Sequence, residues 1–225
     1  MAYLAPMARA RTAYCRRPLA AAVAIAACLA ASPVMAHPHA WIDLKMEALF
    51  NDKGEIVGLH ENWLFDEGYT VFILDGLAKG DKNALSEAGL QNISLKIMHN
   101  LQPYAYFTHV FSAKTLQEIA GVEKPSAAML GRRFDLDFTV KLRHPASASQ
   151  VSYRVFDPTY YIEMLHIDGD NAIRLSGAPA GCKTHLVKAS PSMEAIVRAS
   201  ALDQTQTTDT KLGALFAETM EISCP

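Results

Sequence analysis

The sequence predicts an α+β domain, an antiparallel β-sheet or sandwich with a few packed helices, and three observations carry that expectation. Strict apolar–polar alternation begins at Ala40, many short strand-like segments follow between turn residues, and helical periodicity is confined to a few stretches with no βαβ rhythm.

The alternation sets Ala40, Ile42, Leu44, Met46, Ala48 and Phe50 on one side and Trp41, Asp43, Lys45 and Glu47 on the other, the pattern of a half-buried strand. Asn51-Asp52-Lys53-Gly54 supplies turn chemistry, and Glu55–Phe65 returns as a second strand rich in Ile, Val, Leu and Trp. A β-hairpin is therefore expected, in a register that sets His39 opposite Asp66 or opposite Glu67.

Asp66 opens a helical segment that continues through Leu74, because an acid suits a helix start, and the polar stretch Lys79-Gly80-Asp81-Lys82-Asn83 ends it. Leu90, Ile93, Ile97 and Leu101 recur at helical spacing between Ser86 and Pro103. Strands are then expected at Tyr104–Phe111, Arg133–Leu142, Val151–Phe156, Tyr160–Ile167, Ile173–Leu175 and Cys182–Lys188, separated by clusters of Pro, Gly, Asp and Ser. Pro191–Leu202 and Lys211–Met220 read as helices on either side of a polar connector, and no internal repeat is visible.

The first 36 residues have the layout of a secretion signal. Arg9, Arg11, Arg16 and Arg17 precede an apolar run from Leu19 to Ala31, and Val34-Met35-Ala36 is a small-residue cleavage pattern. The expected organisation is a signal peptide over 1–36 and a single periplasmic domain over 37–225. Cys28, in Ile25-Ala26-Ala27-Cys28, offers a weaker lipoprotein reading, and no later segment is long enough for a helical membrane span.

Removing four basic residues and no acid would take the formal net charge from −2 to −6, which disfavours nucleic acid and is compatible with handling cations. Cys182 and Cys224 remain as an even pair in an oxidising compartment, so a disulfide is expected. Metal ligation through Cys182-x-x-His185 is the alternative.

A chain processed after Ala36 begins His37-Pro38-His39, offering an α-amine and two imidazoles, with Asp43 on the same strand face. Together with Asp66 or Glu67 these groups are credible ligands for zinc, nickel, cobalt or copper. Pro38 has no amide proton, so any site would use imidazoles, carboxylates or the α-amine. The bland reading is two terminal histidines beside a surface ion pair. For an enzyme the motifs are missing: no Gly-x-Ser-x-Gly, P-loop, dinucleotide fingerprint or His-Glu-x-x-His occurs. His166-Ile167-Asp168-Gly169-Asp170 reads as an ordinary polar turn, and the remaining histidines as structural or exposed.

The segments His37-Pro38-His39-Ala40-Trp41-Ile42-Asp43, Trp63-Leu64-Phe65-Asp66-Glu67-Gly68-Tyr69, Phe156-Asp157-Pro158-Thr159-Tyr160-Tyr161, Leu175–Cys182 and Ile222-Ser223-Cys224-Pro225 resemble, in this order, exported proteins of the domain-of-unknown-function 1007 family. The resemblance implies a periplasmic component of an uncharacterised ABC-type transport system, accompanying nickel, cobalt or zinc transporters in the inner membrane. It implies a metal-handling accessory; the alternative is a non-metal interaction module in which Phe65-Asp66-Glu67 and Asp157-Pro158-Thr159-Tyr160 build turns and a docking surface for a transporter subunit. Members carry an acidic Asp-x-Asp-x-Asp-Gly loop, whereas this chain reads Asp81-Lys82-Asn83-Ala84-Leu85-Ser86, which speaks against calcium there.

Overall fold

A computed structural model describes residues 38–167, 172–202 and 211–225. The expected signal peptide, His37, the acidic turn 168–170 and the connector 203–210 lie outside them. The chain divides into two units, Met1–Val34 and Met35–Pro225, and the described residues all fall in the second.

The hairpin forms as its pattern dictates, β1 over Ala40–Phe50 and β2 over Glu55–Phe65. Asn51 Oδ1 accepts the backbone N–H groups of Lys53 and Glu55, and Gly54 takes the left-handed conformation (φ 73°) that closes the turn. The register differs from the expected one. Phe50 faces Ile56, but a bulge moves the ladder so that Leu49 faces Gly58 and Ile42 faces Phe65. Close approach explains the bulge: a Cβ at Gly58 would lie 2.4 Å from the Val140 carbonyl oxygen. The displaced register, and the end of β2 at Phe65, leave His39 opposite neither Asp66 nor Glu67; its backbone N–H bonds Tyr161 O at 2.9 Å instead.

Two sheets share one hydrophobic core. The first has the order β5-β6-β2-β1-β8, with β5 Ile119–Leu130, β6 Arg133–Ser147 and β8 Ile162–His166; β9, Ile173–Ser176, also pairs β1. The second has the order β10-β11-β7-β3-β4, formed by Lys183–Val187, Thr219–Ser223, Val151–Val155, Thr108–Ser112 and Thr115–Leu116. The α+β class and the antiparallel character hold, except on one side of β1, where β8 and β9 run parallel to it. Parallel neighbours need a long crossover connection, and here strands β2 to β7, with the helices that follow β2, lie between β1 and β8 in sequence.

The helices are α1 Glu67–Leu77, α2 Glu87–Leu101, α3 Met193–Ala201 and the single turn α4 Gly213–Phe216. Asp66 and Ser86 cap α1 and α2 by accepting the Tyr69 and Gly89 N–H groups at 2.9 and 3.1 Å. Ile73, Leu90, Ile93 and Ile97 are buried, as helical spacing requires. Trp63, 1% exposed, centres the aromatic core, stacked on Phe107 and edge-on to Phe138.

Two expected elements differ, and one long strand is unexpected. Residues 104–107 do not extend, because Ala105 and Tyr106 take positive φ, so β3 starts at Thr108. The expected helix Lys211–Met220 shrinks to α4, and its end becomes β11. β5 occupies a stretch where the sequence shows only Gly, Pro and Ser punctuation. As an edge strand with two register shifts it accommodates Pro125. The expected Cys182–Cys224 disulfide is formed, joining the start of β10 to the end of β11.

Candidate functional site

The start of β1 is a polar corner built by three segments. The His39 ring lies 5.0 Å from that of Tyr161, and Trp41, two residues on, donates its backbone N–H to Asp66 Oδ2 at 2.8 Å. Asp66 thus uses one carboxylate oxygen on the strand and the other to cap α1. The Trp41 indole N–H donates to Glu163 Oε2 at 3.0 Å, and the Tyr160 hydroxyl donates to Glu163 Oε1 at 3.2 Å. Asp157, 6% exposed, accepts from the Thr159 backbone and hydroxyl and from the Ile162 N–H, which fixes the tight turn leading into β8. Burial, with Tyr161, Asp157 and Asp66 nearby, pushes the Tyr69 hydroxyl up to about 12.

The expected ligand residues do not all meet here. Asp66 sits beside the segment that carries His39, while His37 lies outside the described residues. Asp43 pairs with Arg133 Nη2 at 2.8 Å, and that guanidinium also donates to the Leu64 and Phe65 carbonyls. Glu67, an exposed residue of the first turn of α1, pairs with Arg132 at 3.2 Å. Among the described residues no group of three or more His, Cys, Asp or Glu side chains is arranged to hold a metal ion. His185 pairs with Glu221, and Cys182 is in the disulfide, so the alternative Cys-x-x-His ligand pair does not form.

A buried polar chain joins the two sheets, and sequence reasoning missed it. The Tyr153 hydroxyl of β7 meets His166 Nε2 of β8 at 3.1 Å, and His166 Nδ1 meets Glu218 Oε2 at 2.8 Å. Glu218 also accepts the His166 backbone N–H at 2.8 Å and the Lys188 ammonium at 2.7 Å. Burial would raise the Glu218 carboxyl, but these bonds from His166 and Lys188 outweigh it and hold it down at about 2. Glu61 of β2 accepts the Trp63 indole N–H at 2.9 Å and lies 2.8 Å from the Thr108 hydroxyl of β3. Its burial raises the carboxyl to about 8, more than those two bonds lower it.

With Glu61, His166 and Glu218 at 0, 4 and 2% exposure, substrate has no access, and the chain ties sheet to sheet. One signal of it is in the sequence: Glu61 has the parity of the inward residues Leu59, Trp63 and Phe65. Glu218 gives none, since its segment reads as helix.

A family model described as a protein of unknown function (DUF1007) matches residues 22–224. An uncharacterised protein of Haemophilus influenzae is 26% identical over 197 residues, covering 85% of this chain and 92% of its own. No solved structure matches the chain.

Proposed function

The chain belongs to the DUF1007 family of proteins of unknown function, and from that premise we propose that it is a non-enzymatic periplasmic accessory of an inner-membrane metal transport system. After removal of the signal peptide it binds a divalent transition metal, zinc, nickel, cobalt or copper, as cargo at the start of β1. His37, through its imidazole and the new α-amine, and His39 are the donors, with Asp66 as the carboxylate. Asp43 and Glu67 act only if their arginine partners are given up.

The observation that carries this reading is the bond from Trp41 N–H to Asp66 Oδ2 at 2.8 Å, which holds a carboxylate two residues from His39. Each Asp66 oxygen, accepting one N–H, retains a lone pair for a cation. A disulfide fits an oxidising compartment, and no helix among the described residues is long and apolar enough to cross a membrane.

Calorimetric titration of the processed protein with the four metals tests the reading. We expect roughly micromolar binding, or about −8 kcal/mol, that is lost in His37→Ala and in His39→Ala and weakened by a tag ahead of His37. Binding that survives both substitutions, or no heat with any metal, overturns it. The second reading, an interaction module docking on a transporter subunit, is favoured by Val71 and Phe72, which α1 leaves 63% and 61% exposed.

A further inference from the structure

The outer face of the second sheet holds a concavity of about 760 Å³ whose charge runs against that of the chain. Strand pairing sets Phe111, Ser152, Glu221 and His185 in one row across β3, β7, β11 and β10. The small Ser152 between longer side chains makes the hollow, and Lys114, Arg154 and Lys183 line it. Glu221, the acid in the wall, is paired with His185 at 3.2 Å. Among the described residues neither Lys114 nor Lys183 has a carboxylate partner.

The Arg154 cation is held in place, and the backbone that carries Lys114 is constrained. The Arg154 guanidinium lies over the Phe156 ring, 5.2 Å from its centroid, and donates through Nη2 to the Ala214 carbonyl. Its Nε is buried and, among the described residues, has no hydrogen-bond partner. Lys114 follows Ala113 in the tight turn between β3 and β4, and both take positive φ, 68° and 47°. Such hairpin turns favour Asn and Gly, and any other residue held there is strained. That strain is a local cost borne at the mouth of the hollow.

We propose that this concavity binds a small multivalent anion bearing carboxylate or phosphate groups. Cations that face a shared hollow whose one acid, Glu221, is already paired with His185 repel one another, and an oxyanion relieves that repulsion. With Nη2 engaged by Ala214, the remaining Arg154 N–H donors suit an oxyanion, the two lysines neutralise further charge, and Phe111 offers its ring to a carbon frame. The site is independent of the amino-terminal corner, since all its residues lie on the second sheet or in its turns.

Calorimetry in metal-free, low-salt buffer, with citrate and separately with inorganic phosphate as probes, tests the proposal. The expected result is saturable binding of at least one, with Kd below about 1 mM, weakened about tenfold or more in the Lys114→Ala/Lys183→Ala double variant and by added salt. Binding of citrate alone assigns carboxylate chemistry, and binding of phosphate alone assigns phosphate. Both lysines are exposed, so the double variant is expected to keep the melting temperature, and Arg154→Lys, which keeps charge but removes the guanidinium donors, gives a second reading. Failure of both probes to bind, or unchanged affinity in the folded variants, overturns the proposal.

Discussion

Glu61 of the first sheet and Thr108 of the second meet at 2.8 Å between the two layers, where they are 0% and 2% exposed. The Thr108 oxygen also lies 3.0 Å from the Tyr106 carbonyl, which can only accept. A single hydroxyl proton cannot serve both oxygens, so a protonated Glu61 donating to Thr108, which then donates to Tyr106, satisfies every group. That arrangement agrees with a carboxyl raised by burial to about 8.

Glu61 ties the stability of the fold to pH. A carboxyl raised on folding contributes stability that is complete below its ordinary value of 4.5 and is lost as pH climbs to about 8. Glu61→Gln keeps the shape and loses the titration. Urea melts between pH 5 and 8 are expected to show an unsubstituted protein weakening with a slope steeper by up to about 1.4 kcal/mol per pH unit than the variant. Parallel curves would refute the assignment of a neutral Glu61.

Glu218 has the opposite sign. Its folded value of about 2 lies below the ordinary 4.5, so its contribution is present above that value and lost as pH falls towards 2. Glu218→Gln removes one partner of a buried pair and is expected to cost about 3–5 kcal/mol at neutral pH. Acid unfolding followed by circular dichroism should lose the corresponding limb in the variant. A variant as stable as its parent at pH 7 would show that the His166–Glu218 bond carries nothing.

Two glycines make a controlled pair. A Cβ at Gly213 would stand 1.8 Å from the Asp157 carbonyl oxygen, whereas one at Gly76 in α1 meets nothing within 4 Å. Gly213→Ala must push α4 away from the turn at Asp157, and a loss of about 2 kcal/mol or more is expected. Gly76→Ala should be neutral or stabilising by about 0.5–1 kcal/mol, because alanine suits a helix interior. Thermal melts of both variants check the contrast, and equal behaviour would contradict the close approach.

The disulfide joins residues 42 apart in sequence, which in the chain-entropy description contributes about 4 kcal/mol by restricting the unfolded state. Replacing both Cys182 and Cys224 by alanine is expected to lower the unfolding free energy from urea melts by about that amount, and the midpoint with it, while leaving far-ultraviolet dichroism unchanged below the transition. An unaltered midpoint would remove the stabilising role.

Much of the fold is legible in the residues. The hairpin follows from the alternation at Ala40–Phe50, and α1 and α2 follow from apolar spacing with Asp66 and Ser86 as caps. β5 is hidden because Gly121 and Pro125 look like punctuation and only an edge position makes them tolerable. In the corner at β1, Asp66 is legible as a helix start, but its second bond, to a backbone 25 residues earlier, is not. The bulge opposite Val140 likewise has no local signature, although it decides what faces His39.

By itself the sequence determined what neighbours in the chain decide: period, turn chemistry, helix caps and an even pair of cysteines. Tertiary structure alone decided that β8 and β9 lie parallel to β1, and that Glu61, His166 and Glu218 are sealed between sheets. The reason is that a buried polar group is tolerable only where a distant segment supplies its partner. Thr108 stands 47 residues from Glu61, and Glu218 stands 52 from His166.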